Sequence, residues 1–268
     1  MKPFKAALVR IEAIARNTFR EALRNRAFIA LVMTASAFLG FSWILSEMAV
    51  VGQGARVVLT FGFFAISLFC VITAIVMGAL LLHKELEKKT ITTILSKPVY
   101  RYEFLLGKYL GMLAILAVEM LLLVVVWMLV YSAVGGDALL PLLTGAGLMY
   151  LEVMLITAVA VMFSAMSTPV LTALFTSGVF LVGRVHGVIQ EMLNADRGIL
   201  ADNAWISGVA EAVVTVFPDL DVFNTSEQAI WGVDVGIAYW GNGLVYAGGY
   251  ICVFLAVGIL AFQRRDFV

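Results

Sequence analysis

The amino-acid sequence predicts an all-α integral membrane protein with six transmembrane helices, and three observations carry that expectation. The 268 residues are 62% apolar and only 13% charged, against about 45–50% and about 25% in a soluble domain. The apolar residues fall in runs close to the roughly 20 residues that a helix needs to cross the hydrocarbon core. The remaining charges gather in a few segments between those runs. So little polar surface cannot cover a soluble core, which excludes a soluble enzyme, and so much apolar content excludes disorder. The 23 Gly keep no collagen-like period. Cys70 and Cys252, each inside an apolar run, read as small hydrophobes rather than a disulfide.

Six runs qualify as spans: Ala27 to Ser46, Val57 to Leu82, Tyr109 to Val134, Leu142 to Phe163, Thr168 to Val182, and Gly241 to Phe262. The fifth is short and opens next to Pro169. No cleavable signal peptide is expected, because the first run starts only near Ala27 and lacks a small-residue cleavage site. With the N-terminus inside, the cytoplasmic segments hold 15 of the 18 Lys and Arg; only Arg56, Arg184 and Arg197 fall outside. Positive charge resists translocation, so the topology is N-in and C-in. The whole chain, 1–268, reads as one transmembrane domain.

Three segments outside the spans carry pattern. Residues 1–26 read as an interfacial helix: Phe4, Leu8, Ile11, Ala15, Phe19 and Ala22 recur at spacings of three and four. Arg10, Arg16, Arg20 and Arg24 take much of the other face, suited to anionic headgroups. The external segment 184–240 is acidic and partly apolar, with Trp205, Ile206, Val209, Val213, Val216 and Phe217 at helical spacing before Pro218. That run is too short to span and reads as a helix lying on the membrane or over a pathway mouth. Thr225, with Gln228 three residues on, offers a capping box for a further short helix.

The third segment, 83–108, is cytoplasmic and highly charged. Thr90 to Ser96 is a short amphipathic stretch with Ile91, Ile94 and Leu95 on one face, ended by Pro98. A short helix held crosswise at the cytoplasmic surface suits the transmission of a push from a soluble partner.

The run Glu85, Thr90, Leu95, Ser96-Lys97-Pro98, Arg101, Glu103 and Leu106-Gly107-Lys108 resembles the signature of ABC-2-type transporter permeases. The entry segment Thr18 to Arg26, the Phe163-Ser164-Ala165 corner and the closing Phe262 to Phe267 resemble that family as well. Within it, the chain looks most like short permeases encoded beside a separate ATPase, including those similar to nitrous-oxide-reductase maturation permeases. The resemblance implies a multi-pass protein of the bacterial inner membrane, paired with a second permease copy or homologue and with cytosolic ATP-binding subunits. A periplasmic accessory protein is a further implied partner; nothing points to nucleic acid.

By the same resemblance, residues 88–96 are the coupling helix. Glu85, Glu87, Lys88, Lys89 and Arg101 would be its polar contacts, and Thr90, Ile91, Ile94, Leu95 and Pro98 belong to the same docking element. The N-terminal helix, with Phe19, Arg20, Glu21, Arg24 and Arg26, would be the connecting or elbow helix, and 184–240 would supply small helices capping the pathway. The sequence contains no G-x-x-x-x-G-K-[ST] phosphate loop. ATP and magnesium are therefore expected in the partner, with no cofactor or metal bound directly and no catalytic residue in this chain.

Glu119 and Glu152 fall near the middle of the third and fourth spans, where an ionisable group costs roughly 2.5–3.5 kcal/mol on insertion scales. They read either as a polar pathway for a cation, proton or substrate, or as carboxyls bonded to neighbouring helices. Gly107 and Gly111 form a small-xxx-small pattern that permits close helix packing. Arg184 and His186 stand where the fifth span should leave the membrane, so snorkelling to the interface is expected. Two other readings stay open: a membrane anchor that recruits a cytosolic partner without transport, and an ion-coupled carrier using Glu119 and Glu152.

Overall fold

The computed structural model describes residues 2–87, 100–136, 140–195, 204–231, 233 and 235–264. Ten α-helices run through them: α1 (Lys2–Leu23), α2 (Arg26–Glu47), α3 (Gly54–Glu87), α4 (Arg101–Ala133), α5 (Leu140–Met166), α6 (Pro169–Arg184), α7 (His186–Asn194), α8 (Ala204–Val216), α9 (Ser226–Trp231) and α10 (Ile237–Arg264). A 3-10 turn, Asp221–Phe223, precedes α9. Five helices, α2 to α5 and α10, are long and apolar enough to cross a bilayer. The pair α6 and α7, bent by 48°, makes the sixth when taken as one broken span. The 16 residues of α6 reach only about 24 Å, short of the roughly 30 Å core, so the shortness read from the sequence is physical.

The breaks have local causes. Asn25 stops α1 and starts α2: its side-chain oxygen accepts a hydrogen bond from the Ala27 N–H at 3.0 Å. Gly135 closes α4 at φ +83°, a conformation that L side chains rarely adopt, and its N–H reaches the Ser132 carbonyl. Pro169 opens α6, where its missing N–H costs nothing.

α3 and α4, at 34 and 33 residues, are about 50 Å long and exceed the hydrocarbon thickness by several turns. The surplus lies at the ends that flank segment 88–99, and residues 88–99 themselves lie outside the described residues. The core sits where α3, α4 and α5 meet, around Trp127, Ile66, Met77, Ile115 and Leu116. Trp127 donates to the Val58 carbonyl at 2.9 Å, so its N–H is satisfied inside the bundle. Two tyrosines tie α4 to α5 reciprocally: Tyr109 donates to the Met154 carbonyl at 3.2 Å, and Tyr150 to the Leu113 carbonyl at 2.9 Å. Cys70 is buried in this core, and Cys252 is exposed on α10.

Candidate functional site

The start of α4 is a junction. Arg10 of α1 forms a bidentate pair with Glu103, Nε to Oε2 at 2.8 Å and Nη2 to Oε1 at 2.6 Å. Glu103 Oε2 also accepts from the Tyr100 N–H at 3.1 Å, which caps α4. Hydrogen bonding to Glu103 pushes Arg10 above its ordinary value, so the guanidinium stays charged. One turn further, a Cβ on Gly107 would lie 2.7 Å from Ile14 Cβ. Another turn on, a Cβ on Gly111 would lie 2.6 Å from the Ala15 carbonyl and from Thr18 Cβ. Only glycine permits that approach, so the small-xxx-small pattern receives α1.

Arg10–Glu103, Ile14–Gly107 and Thr18–Gly111 share one offset, so α1 and α4 run side by side in the same sense for two turns. This alters the expectation of a helix lying only on lipid. Thr18 and Ala22 are buried in the bundle, while Leu8 and Val9 keep an exposed apolar strip. Lys108, almost fully buried, places Nζ 3.9 Å from Glu21 and over the Phe104 ring.

Arg101, expected among contacts to a soluble partner, is joined to α10 within this chain. Its Nη1 donates to the carbonyls of Phe262 and Gln263, both at 2.9 Å, where helical C=O groups lack internal partners. Phe104 stacks on Phe262 beside it. Glu85 and Glu87 fall in the last turn of α3. Lys88, Lys89, Thr90, Ile91, Ile94, Leu95 and Pro98 lie outside the described residues, as does the closing Arg265 to Phe267. Phe19 is half-buried, and Arg20, Arg24 and Arg26 are exposed.

The second cluster is in the bundle. Glu152 and Glu119 are fully buried and do not bond to each other; each takes a hydroxyl from α3. Thr73 donates to Glu119 Oε1 at 2.8 Å, and Ser67 to Glu152 Oε2 at 3.3 Å. Glu152 has a counter-charge as well: Arg184 Nη2 lies 2.8 Å from its Oε2 and 2.6 Å from the Ser67 hydroxyl. The expectation of a snorkelling Arg184 is therefore corrected. The chain bends just after it, and the side chain turns inward to a partner 32 residues away. Glu119 Oε2 and Glu152 Oε1 have no hydrogen-bond partner among the described residues.

Arg184 and Ser67 line a cavity of about 400 Å³ between α3 and α6, walled by Phe63, Phe64 and Phe180 and rimmed by Asn224 and Ser226. Described residues between α6 and α10 pack over it. Leu220 is buried against Gly183 and donates its N–H to the Gly183 carbonyl. The Asp219 N–H donates to the Tyr246 hydroxyl, and the Tyr239 hydroxyl donates to the Val222 carbonyl. His186, also expected to snorkel, is buried, with Nε2 3.0 Å from the Val214 carbonyl and Nδ1 3.5 Å from Asp219. α8 and α9 form where the sequence places them. The capping box does not: Thr225 Oγ1 and Gln228 Oε1 are without partners among the described residues, and Asn224 accepts from the Ser226 N–H instead.

A bundle of long apolar helices, with basic joints at one end and a covered polar cavity toward the other, defines a multi-pass membrane protein. The chain belongs to the family described as ABC-2 family transporter protein, whose profile matches residues 12–267. Proteins of this family are the transmembrane subunits of ABC transporters and generally work with a cytosolic ATP-binding subunit. No curated protein matches the chain.

Proposed function

We propose that this chain is the permease half of an ATP-driven exporter, acting with a second permease and a pair of cytosolic ATPases that bind ATP and magnesium. The observation that carries the reading is the junction at the start of α4. That segment follows the loop directly, and it is fastened to the first helix through Arg10–Glu103 and to the last through Arg101. A push delivered at 88–96 would thus be handed to α1, α4 and α10 together. The aromatic cavity at Arg184, with Glu152 behind it, is the proposed polar part of the substrate path, and Glu119 of α4, bonded to Thr73 of α3, is its proposed continuation.

The test is a pull-down of the detergent-solubilised protein from its native membrane, comparing wild type with a Glu87→Ala/Ile94→Asp/Leu95→Asp variant. Recovery of a Walker-motif ATPase by wild type alone supports the docking loop. Failure of both to recover one, with other membrane complexes intact, moves the anchor reading forward. An ion-coupled carrier is the second reading, favoured by the unpartnered Glu119 Oε2. It requires transport that persists when the ATPase is inactive and stops when the ion gradient is collapsed.

A further inference from the structure

At the joint between α1 and α2, a cleft of about 720 Å³ is lined by Asn17, Arg20, Glu21, Arg24, Asn25 and Arg26. Three of these six side chains are guanidiniums. Among the described residues none of the three makes an ion pair or hydrogen bond, while Arg10, Arg101 and Arg184 each do. The one carboxylate in the cleft, Glu21, faces the buried Lys108 Nζ at 3.9 Å. Arg20 and Arg24 stand one helical turn apart on the same face, and like charges at that spacing destabilise a helix unless an anion lies between them. Asn25 breaks the chain here, and that break brings Arg26 of the next helix to the same cleft.

What lies beside the cleft narrows the anion. Arg26 begins a helix of 22 residues, about 33 Å, which matches one crossing of the hydrocarbon core. In the N-in orientation Arg26 therefore sits at the cytoplasmic headgroup level. Below it on the same face of α2 come Ile29 and Met33, 51% and 67% exposed, and Leu23 edges the cleft from α1. A charged head with an apolar track under it fits an acyl-chain lipid better than a free anion.

We infer that the α1–α2 joint is a binding site for the phosphate headgroup of an anionic phospholipid, held by Arg20, Arg24 and Arg26 with an acyl chain along Ile29 and Met33. The single negative charge of the phosphodiester lies among the three guanidiniums, offsets part of their mutual repulsion, and holds the joint between the elbow helix and the first span. The orientation comes from the distribution of Lys and Arg, and binding needs neither ATPase nor transport, so this inference and the permease reading can fail separately.

The experiment is native mass spectrometry of the detergent-solubilised full chain titrated with phosphatidylglycerol or phosphatidylcholine. Wild type is expected to retain phosphatidylglycerol in preference. Arg20→Gln/Arg24→Gln/Arg26→Gln should weaken that retention on the order of tenfold or more, since each basic residue near an anionic surface contributes appreciably. Lys5→Gln, which removes a charge of α1 outside the cleft, should leave it unchanged. Arg20→Lys/Arg24→Lys/Arg26→Lys keeps the charge and should restore most of it even if the glutamine variant folds poorly. Equal retention of both lipids by wild type, or equal loss in the Lys5→Gln variant, overturns the site. Displacement of the lipid by millimolar inorganic phosphate assigns the cleft to a free anion and overturns the lipid reading. So does a glutamine variant that keeps the lipid but no longer recovers an ATPase.

Discussion

The molecule uses the same chemical pair twice, an arginine with a glutamate, in opposite surroundings. Arg10–Glu103 joins α1 to α4 at the very start of α4, with two hydrogen bonds and a partly exposed guanidinium. Arg184–Glu152 joins α6 to α5 inside the bundle through one guanidinium nitrogen, shared with Ser67. Both carboxylates are fully covered, and the two guanidiniums are 29% and 23% exposed. What differs is place: Glu103 lies in the first turn of α4, where water can fill the space left by a lost partner, and Glu152 lies at the middle of α5, where it cannot. The outer pair therefore fastens two helices, whereas the inner pair makes each charge the condition for the other's presence.

The largest expected effect follows from that contrast. Arg184→Met strands the buried Glu152 carboxylate and should cost about 3–5 kcal/mol of stability, as removal of one partner of a buried pair does. Arg184→Met/Glu152→Leu should recover most of it. Thermal unfolding followed by size-exclusion in detergent reads both. If the double variant is no more stable than the single, the pair is not what holds α6 in place.

Next in size is Gly111→Val, which drives a side chain into the Ala15 carbonyl and should cost about 1–3 kcal/mol by overpacking. Protease cleavage within α1 should become faster. Unchanged protection would mean that α1 is not seated on α4.

Arg10→Gln should do less than the glycine change. Its effect should shrink as salt rises, because the guanidinium is open to solvent, and Arg10→Glu/Glu103→Arg should recover part of it. Unfolding temperatures at low and high salt give the answer; an effect that salt leaves untouched would erase the distinction between the two pairs.

The smallest change in stability belongs to Glu119→Gln, which keeps an acceptor for Thr73 and should stay within about 0.5 kcal/mol. Transport in reconstituted vesicles is then the informative readout. Lost transport at unchanged stability places Glu119 on the path. Unchanged transport makes it a packing group.

Much of the fold was legible in the sequence because hydropathy and short-range spacing report directly on helices. The amphipathic spacing before the first span became α1, the run before Pro218 became α8, and Gly107 with Gly111 became the seat of a neighbouring helix. The destinations of single charged side chains were not legible. Arg184 stands at the end of an apolar run, so local pattern sends it to the interface, yet a bend after it turns it toward Glu152. Arg101 lies in a charged loop motif and finds its carbonyls 161 residues away. The capping box at Thr225 failed for a similar reason: Asn224 lies one residue nearer the N-terminus and takes the Ser226 N–H first. Spacing along a helix encodes neighbours within a turn or two, whereas these partners are chosen by how helices pack.

The paired tyrosine bonds between α4 and α5 bear on how such a protein changes shape. Tyr109 and Tyr150 grip each other's helix in opposite directions. Any sliding of one helix past the other would pull both hydroxyls off their carbonyls at once, with no water nearby to replace them. The two helices are thereby fastened at two points, so any bending of the bundle is expected at a joint elsewhere. The 48° break between α6 and α7, next to the only arginine paired inside the bundle among the described residues, is where such a hinge would turn.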